Sequence, residues 1–426
     1  MVLLHVGIDD TDSKKGMCTT YLMAVLLDKI ESIGRIQIIG YPRLVRLNPN
    51  CPFKTRGNAA LAFDAEVPEE MLDMLKNLVL DTVRQYADLK EKNTDPGVAF
   101  LANNIPRELN ELYERALVEI ISMDDAISLA KKLNIEIHRF GYGRGIIGAM
   151  AAIGCNFRKG YTYEFIAYRT KDNIGKPRGM DKESVVEMDR LTFPYTFDNI
   201  DYSTDEIRIM PHTPCPVYFG IRGTDPSQLN RAFQILRPLE PVERYRVYKT
   251  NQGTDAHIKE VRIADAKENM SVSIKGRVTG TPKIIAGGHV IFSIADDTGQ
   301  IDCAAYEPTK DFRSIILNLS DGDIVEVYGG VKKKQKLPLT VNLEKIKVIS
   351  VAKKMVKVAP SCPRCGRRMK SEGRNKGYQC PKCKFKDVYA MPSFIPKERR
   401  IQEGLYTVPP RARRHLSKPA QLYYLL

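Results

Sequence analysis

Asp9, Asp10 and Asp12 put three carboxylates within four positions of the run Gly7-Ile8-Asp9-Asp10-Thr11-Asp12-Ser13. Like charges this close repel unless a cation lies among them. Oxygen-only clusters suit Mg2+, which is held by one or two carboxylates together with phosphate oxygens. The apolar stretch before them, Val2–Val6, reads as a short buried strand, and Gly16-Met17-Cys18-Thr19-Thr20 after them reads as the entry to a helix. Acids at a strand end, beside a helix start that can face phosphate, point to metal-dependent nucleotide chemistry. A solvated Asp-rich turn has the same composition, and Thr19 has the chemistry of an ordinary helix N-cap.

A basic stretch follows. Pro42–Asn58 is rich in Pro, Asn and Gly and carries Arg43, Arg46, Lys54 and Arg56. Arg forks and backbone N–H groups in such a loop can clamp phosphates; an exposed basic connection would look alike. The Gly-x-x-x-x-Gly-Lys-Ser/Thr spacing of a P-loop is absent throughout, so an ATP site here is of another type.

Two cysteine pairs, Cys362 with Cys365 and Cys380 with Cys383, are separated by 14 residues. Two such turns complete a tetrahedron of thiolates around Zn2+ with no open position, so the predicted metal site is structural. Beyond it, Arg399 and Arg400, then Arg411, Arg413 and Arg414, alternate with Tyr and Pro, a pattern that suits an RNA backbone and unstacked bases.

Four segments are predicted to position these groups. In residues 1–133, strand-like stretches (Leu3–Ile8, Ile36–Tyr41, Ala59–Phe63) alternate with helical ones (Tyr21–Ile33, Glu69–Tyr86, Ser122–Leu133), which predicts an α/β domain. Residues 134–257 open on the Gly-rich run Arg139–Gly148, a weak dinucleotide fingerprint and equally a site of close helix packing. Strands near Tyr161–Tyr168 and Tyr245–Tyr248, a rigid loop Pro211–Pro216 and a helix Pro226–Ile235 make this a small α+β unit. Residues 258–350 read as five strands with a helix, Thr309–Leu317, between the third and fourth, the pattern of an OB-fold. Lys332 and Lys333 begin a basic run, Lys332–Lys336, predicted to lie in the loop before its last strand. Residues 351–426 are the zinc ribbon and a basic tail.

Charge is distributed unevenly. Residues 351–426 hold 19 Lys and Arg against 4 Asp and Glu, whereas the other 350 residues carry 47 of each sign. The whole excess of +15 therefore lies on the last segment and favours a polyanionic partner. No apolar run approaches the length of a membrane span and Asp9 comes too early for a secretory signal, so a cytoplasmic protein without a membrane partner is expected. Nothing calls for an obligate protein partner.

Taken together, the segments resemble the archaeal TiaS family, the tRNA-isoleucine 2-agmatinylcytidine synthetases. The resemblance rests on Gly7–Ser13 with Met17–Thr20, on Arg43–Asn58, on Gly143–Gly145, on Thr213–Pro216 with Gly220–Gly223, and on Thr250–Asp255. It implies a multidomain α/β and α+β chain: a kinase-like α/β domain, a ferredoxin-like domain, an OB-fold barrel and a zinc ribbon. The implied reaction attaches agmatine to C2 of the wobble cytidine of a tRNA(Ile) with a CAU anticodon, so that it reads AUA. ATP drives it by phosphorylating the C2 oxygen, and the family is said to leave AMP and to phosphorylate itself at the position of Thr19. On this reading Asp9, Asp10 and Asp12 hold Mg2+ on ATP, while Lys54, Arg56, Arg43 and Arg46 meet its phosphates. Pro214 and Cys215 lie near agmatine, with Asp201, Glu164 and Asp255 as candidate acids. Lys332, Lys333, Arg399, Arg400, Arg411, Arg413 and Arg414 meet tRNA. Two other readings remain open on residues alone: a non-catalytic RNA or single-strand DNA binding protein, and an ATP-dependent RNA-modifying enzyme that uses another amine.

Overall fold

A computed structural model describes residues 1–333 and 338–425. The first unit is built from β1 (Val2–Asp9), α1 (Thr19–Ile33), β2 (Gln37–Arg46), β3 (Ala59–Val67), α2 (Leu72–Tyr86), β4 (Gly97–Ala102), α3 (Arg107–Val118), α4 (Met123–Lys132), β5 (Glu136–Arg139) and α5 (Gly145–Ile153). Alternate residues of β1 divide between two cores. Leu4, Val6 and Ile8 pack with α1 and α2, and Gly7 faces α5. A side chain on Gly7 would lie 2.1 Å from the Ala149 carbonyl oxygen, and one on Gly97 would lie 1.9 Å from the Ile146 nitrogen. Helix α5 therefore lies with its backbone directly on β1 and β4. The Gly-rich run is a packing device here, and β5 and α5 belong to the first unit. A cut at residue 133 would strip that unit of an edge strand and of the helix covering one face of its sheet.

The second unit comprises β6 (Thr162–Arg169), α6 (Lys182–Thr192), β7 (Thr196–Phe197), β8 (Ile200–Asp201), β9 (Glu206–Ile207), β10 (Val217–Gly223), α7 (Pro226–Ile235) and β11 (Val242–Thr250). Both units share one nine-stranded sheet in the order β5-β4-β1-β3-β2-β11-β6-β10-β7. The seam, β2 beside β11, is the one parallel pairing in that sheet among the described residues and joins only Arg43 to Lys249 and Leu44 to Thr250. Asn251 extends it: its amide accepts from the Arg46 N–H at 2.8 Å and donates to the Arg46 carbonyl at 2.9 Å.

The barrel comprises β12 (Lys259–Glu260), β13 (Ser271–Ile285), β14 (His289–Ala295), β15 (Gln300–Ala305), α8 (Asp311–Leu317), β16 (Ile324–Lys333) and β17 (Leu339–Ser350), closed by β13 pairing β16. Its core is largely aliphatic, with Val272, Ile274, Val325, Val327 and Ile346 fully buried beside Phe292 and Phe312. Lys332 and Lys333 lie on β16 and not in a loop; Lys334, Gln335 and Lys336 fall outside the described residues. The ribbon follows with β18 (Met355–Val358), β19 (Lys370–Ser371), β20 (Tyr378–Gln379), β21 (Lys386–Asp387) and β22 (Ser393–Pro396). The tail then returns to the barrel, where β23 (Gly404–Thr407) pairs with β17. It is thus part of the barrel wall and not an arm of the ribbon.

Candidate active site

The three carboxylates stand at the C-terminal end of β1, against the N-termini of α1 and α5. Asp9 sits over α5, where a side chain on Gly148 would come within 1.9 Å of its Oδ2. Asp10 takes a left-handed conformation (φ 59) that turns the chain sharply, and its N–H donates to Asp9 Oδ1 at 2.7 Å. The Asp10 carboxylate accepts from the Asp95 N–H at 3.0 Å and from the Thr55 hydroxyl at 3.2 Å. Asp12 pairs with Arg56 at 3.3 Å. Burial, followed by the Asp10 charge, holds the Asp9 carboxyl well above the ordinary range, and burial pushes Asp10 up to about 6. Asp12 is also raised by burial, against the pull of Arg56. A cluster that resists ionisation in this way is one that a cation would relieve. Among the described residues these carboxylates do not gather into a compact three-ligand group; only the four cysteines do. That fits a metal held by one or two carboxylates and completed by phosphate oxygens.

Thr19, Arg46, Lys54 and Arg56 line the same cleft as the acids. Arg56 closes the entry loop of α1 by donating to the Gly16 carbonyl at 2.8 Å and to the Ser13 carbonyl. Thr19 is the first residue of α1 and buried, with Cys18 in the N-cap position. Its hydroxyl is therefore not the helix cap. Arg43 does not join the site. It lies three residues from Arg46 on β2, hence on the opposite face, and pairs with Asp64 at 2.6 Å, which His5 also holds at 2.7 Å. At the mouth the Arg144 guanidinium stacks 3.9 Å from the Phe53 ring centroid, with Tyr142 beyond it. Leu44, Leu47, Ile121 and Ile147 form an apolar end to the cleft. In the sequence Arg144 and Phe53 stand in two motifs of the family resemblance, a Gly-rich run and a Pro-rich loop, with no role assigned to either. Nothing in the sequence joins residues 91 positions apart.

The loop Pro211–Pro216 is held by one guanidinium: Arg178 donates to the carbonyls of Pro211, Thr213 and Cys215 at 2.8–2.9 Å. Cys215 is buried beneath it and Pro214 stands beside Gly16, near the entry to α1 but outside the cleft lining. The three candidate acids are engaged within the protein. Glu164 bonds Gln252, Asp201 bonds Ser203 and the Arg411 N–H, and Asp255 grips Lys345 at 2.6 Å.

Most of the arginines predicted to meet RNA are likewise occupied. Arg399 forks onto the fully buried Asp323, Arg413 pairs with Asp198, Arg411 lies 3.7 Å from Asp201, and Arg414 reaches Asn50 at 2.8 Å. Lys332 donates to the Asn50 carbonyl at 3.2 Å. Buried carboxylates demand counter-charges, and the returning tail supplies them. Only Lys333 and Arg400 of the set are exposed. In the ribbon, all four cysteine sulfurs lie within 4.8 Å of one another, with pairs at 3.4–3.7 Å. Four thiolates on Zn2+ stand about 3.8 Å apart for Zn–S bonds near 2.3 Å, so the cage fits that ion.

The chain matches the TiaS TCKD domain over residues 5–66, the TiaS FLD domain over 143–257, an OB-fold nucleic acid binding domain over 272–349 and the TiaS C-terminal zinc ribbon domain over 359–401. It is 44% identical to the tRNA-isoleucine 2-agmatinylcytidine synthetase TiaS of Methanocaldococcus jannaschii, with all of each chain covered. The chain belongs to the TiaS family. Among solved structures, apo TiaS superposes with a TM-score of 0.90 at 41% identity, covering 98% of this chain and 97% of that one. A complex of TiaS with isoleucine tRNA, AMPCPP and agmatine gives 0.86 at 38% identity with the same coverage. The family boundary at residue 143 falls between β5 and α5, whose packing assigns both to the first unit.

Proposed function

We propose that this chain is an ATP-dependent ligase that attaches agmatine to C2 of the wobble cytidine of a CAU-anticodon isoleucine tRNA, in the cytoplasm, and so permits AUA decoding. The observation that carries this is 44% identity over the whole of both chains to a protein named as that synthetase, and the acid-and-base cleft at β1 is a site suited to the chemistry.

The C2 oxygen of cytidine is a poor leaving group. Transfer of a phosphoryl group to it makes a good one, and attack by the agmatine amine forms the C–N bond as phosphate departs with the oxygen. Phosphoryl transfer is mostly positioning and charge stabilisation. Arg56 holds the entry loop of α1 in place, and with Lys54 and Arg46 it supplies positive charge in the same cleft as the acids. Two helix N-termini add partial positive charge at the same point. Asp9 and Asp10 are the residues suited to hold Mg2+, which when bound neutralises phosphate charge. On this reading Thr19, buried and lining the cleft, is the residue that becomes phosphorylated. The Phe53–Arg144 stack offers a flat cationic wall for an unstacked base.

The test is transfer of labelled agmatine to an unmodified transcript of that isoleucine tRNA, with the wobble cytidine intact or replaced, with and without ATP. Label that requires both ATP and the intact cytidine is expected. ATP consumption without label would mean another amine, and neither event with folded, zinc-loaded protein would overturn the assignment.

A further inference from the structure

The loop that carries Lys54 and Arg56 is held by its own hydrogen bonds and also from outside the first unit. Asn48 and Asn50 of its first turn are buried; α3 and Asn58 hold Asn48 from within the first unit, and the groups that meet Asn50 come from the barrel and the tail. The Asn50 amide donates to the Ser271 hydroxyl at 2.9 Å and to the Met270 carbonyl at 3.2 Å; Asn48 donates to the Asn269 carbonyl at 3.0 Å. The Asn50 carbonyl accepts from Lys332 at 3.2 Å and its side-chain oxygen from Arg414 at 2.8 Å. Lys54 folds back onto the Pro49 carbonyl. Three cations from the loop, the barrel and the tail thus converge on two residues.

The convergence is tight. A side chain on Gly330 of β16 would lie 2.5 Å from Asn50 Oδ1 and 3.1 Å from Arg414 Nη1, so only glycine leaves the space. Arg414 is anchored behind by Glu344 at 3.5 Å. Burial, then the charges of Arg414 and Lys332, depress the Lys54 ammonium, which places all three in one electrostatic neighbourhood.

We infer that Arg414 and Lys332 are positioning residues: acting through Pro49–Asn50, they set the geometry of Lys54 and Arg56, so that the segments facing RNA govern the nucleotide loop. This rests on the function proposed above. It replaces the expectation that Arg414 and Lys332 contact RNA directly. The hydrogen bonds that reach the first turn of the loop from outside the first unit come from the barrel and the tail. A shift of either when RNA docks is therefore delivered to the residues that line the cleft with the acids.

The test measures agmatine transfer and tRNA affinity separately in the full-length protein. In Arg414→Ala, the KM for ATP should rise, or kcat fall, by about tenfold or more, while tRNA affinity and its salt dependence stay within about twofold of wild type. Arg414→Lys should recover part of the loss. Gly330→Ala, which removes no charge, should reproduce the signature by pushing Asn50 from the barrel side, and it stands in if Arg414→Ala fails to fold. Loss of tRNA affinity with ATP kinetics unchanged would make Arg414 an RNA contact and overturn the inference. Wild-type behaviour of both variants would overturn it as well. Absence of transfer in the wild-type protein would instead refute the proposed function.

Discussion

Gly148→Ala separates the fold from the chemistry. The new methyl would lie 1.9 Å from Asp9 Oδ2, 2.6 Å from its Cγ and 3.1 Å from its Cβ, and meets no backbone atom among its three nearest neighbours. Contact between carbon and a carboxylate oxygen needs about 3.3 Å, so the carboxylate must retreat by about 1.4 Å, which rotation of a side chain achieves cheaply. Alanine in a helix gains about 1 kcal/mol over glycine, offsetting about 1–3 kcal/mol of overpacking. Net stability should therefore move by no more than about 2 kcal/mol. Catalysis should suffer more. Misplacing a reacting geometry by about 1 Å costs about a hundredfold, equivalent to about 3 kcal/mol in the barrier. Gly97→Ala is the control: its methyl would meet only backbone, Ile146 N at 1.9 Å and Gly145 C at 2.2 Å. It must part α5 from the sheet at a cost of about 3 kcal/mol or more. The chain lacks Trp, so unfolding is best followed by far-ultraviolet circular dichroism, beside agmatine transfer at saturating ATP and tRNA. Near-wild-type kcat in Gly148→Ala would refute the placement of Asp9 in the chemistry. Equal destabilisation by the two variants would refute the distinction between side-chain and backbone clashes.

Arg56→Lys should lower kcat by about tenfold or more because a point-like ammonium lacks the planar fork whose Nε meets Asp12 while its Nη2 meets the Gly16 and Ser13 carbonyls; steady-state kinetics decide, and unchanged turnover removes Arg56 from the site. Glu344 is fully buried, and although burial raises its carboxyl, His257, Arg414 and Lys345 hold it down to about 2. Because its folded value lies below its unfolded value of 4.5, it contributes stability above about pH 4.5 that disappears as pH falls through about 2. Glu344→Gln should thus cost about 3 kcal/mol at neutral pH and almost nothing in strong acid, as urea titrations at several pH values would reveal. Stripping Zn2+ with a chelator should unfold residues 359–401 selectively and weaken tRNA binding. Proteolysis should then cut within that span while the nine-stranded sheet stays protected; a ribbon that resists would show that the metal is dispensable.

The sequence alone determined what local chemistry can specify. Cys362, Cys365, Cys380 and Cys383 identify themselves because metal geometry constrains their spacing. The carboxylates at Asp9, Asp10 and Asp12 were legible because a strand end and a helix start are both short-range patterns, and the alternation of the barrel strands announced its own period. Tertiary structure decided the rest, wherever the outcome depended on pairing across long separations. A shift of three positions on β2 sent Arg43 to Asp64 and Arg46 to the cleft, once strand pairing extended β2 beyond its predicted end. The tail arginines looked like a free basic arm because sequence displays their charge but not Asp198 and the buried Asp201, Asp323 and Glu344 that claim it. Asn50 was one polar residue in a loop until the barrel and the tail closed around it. Charge and spacing name the groups a protein can use; packing determines which of them remain free to act.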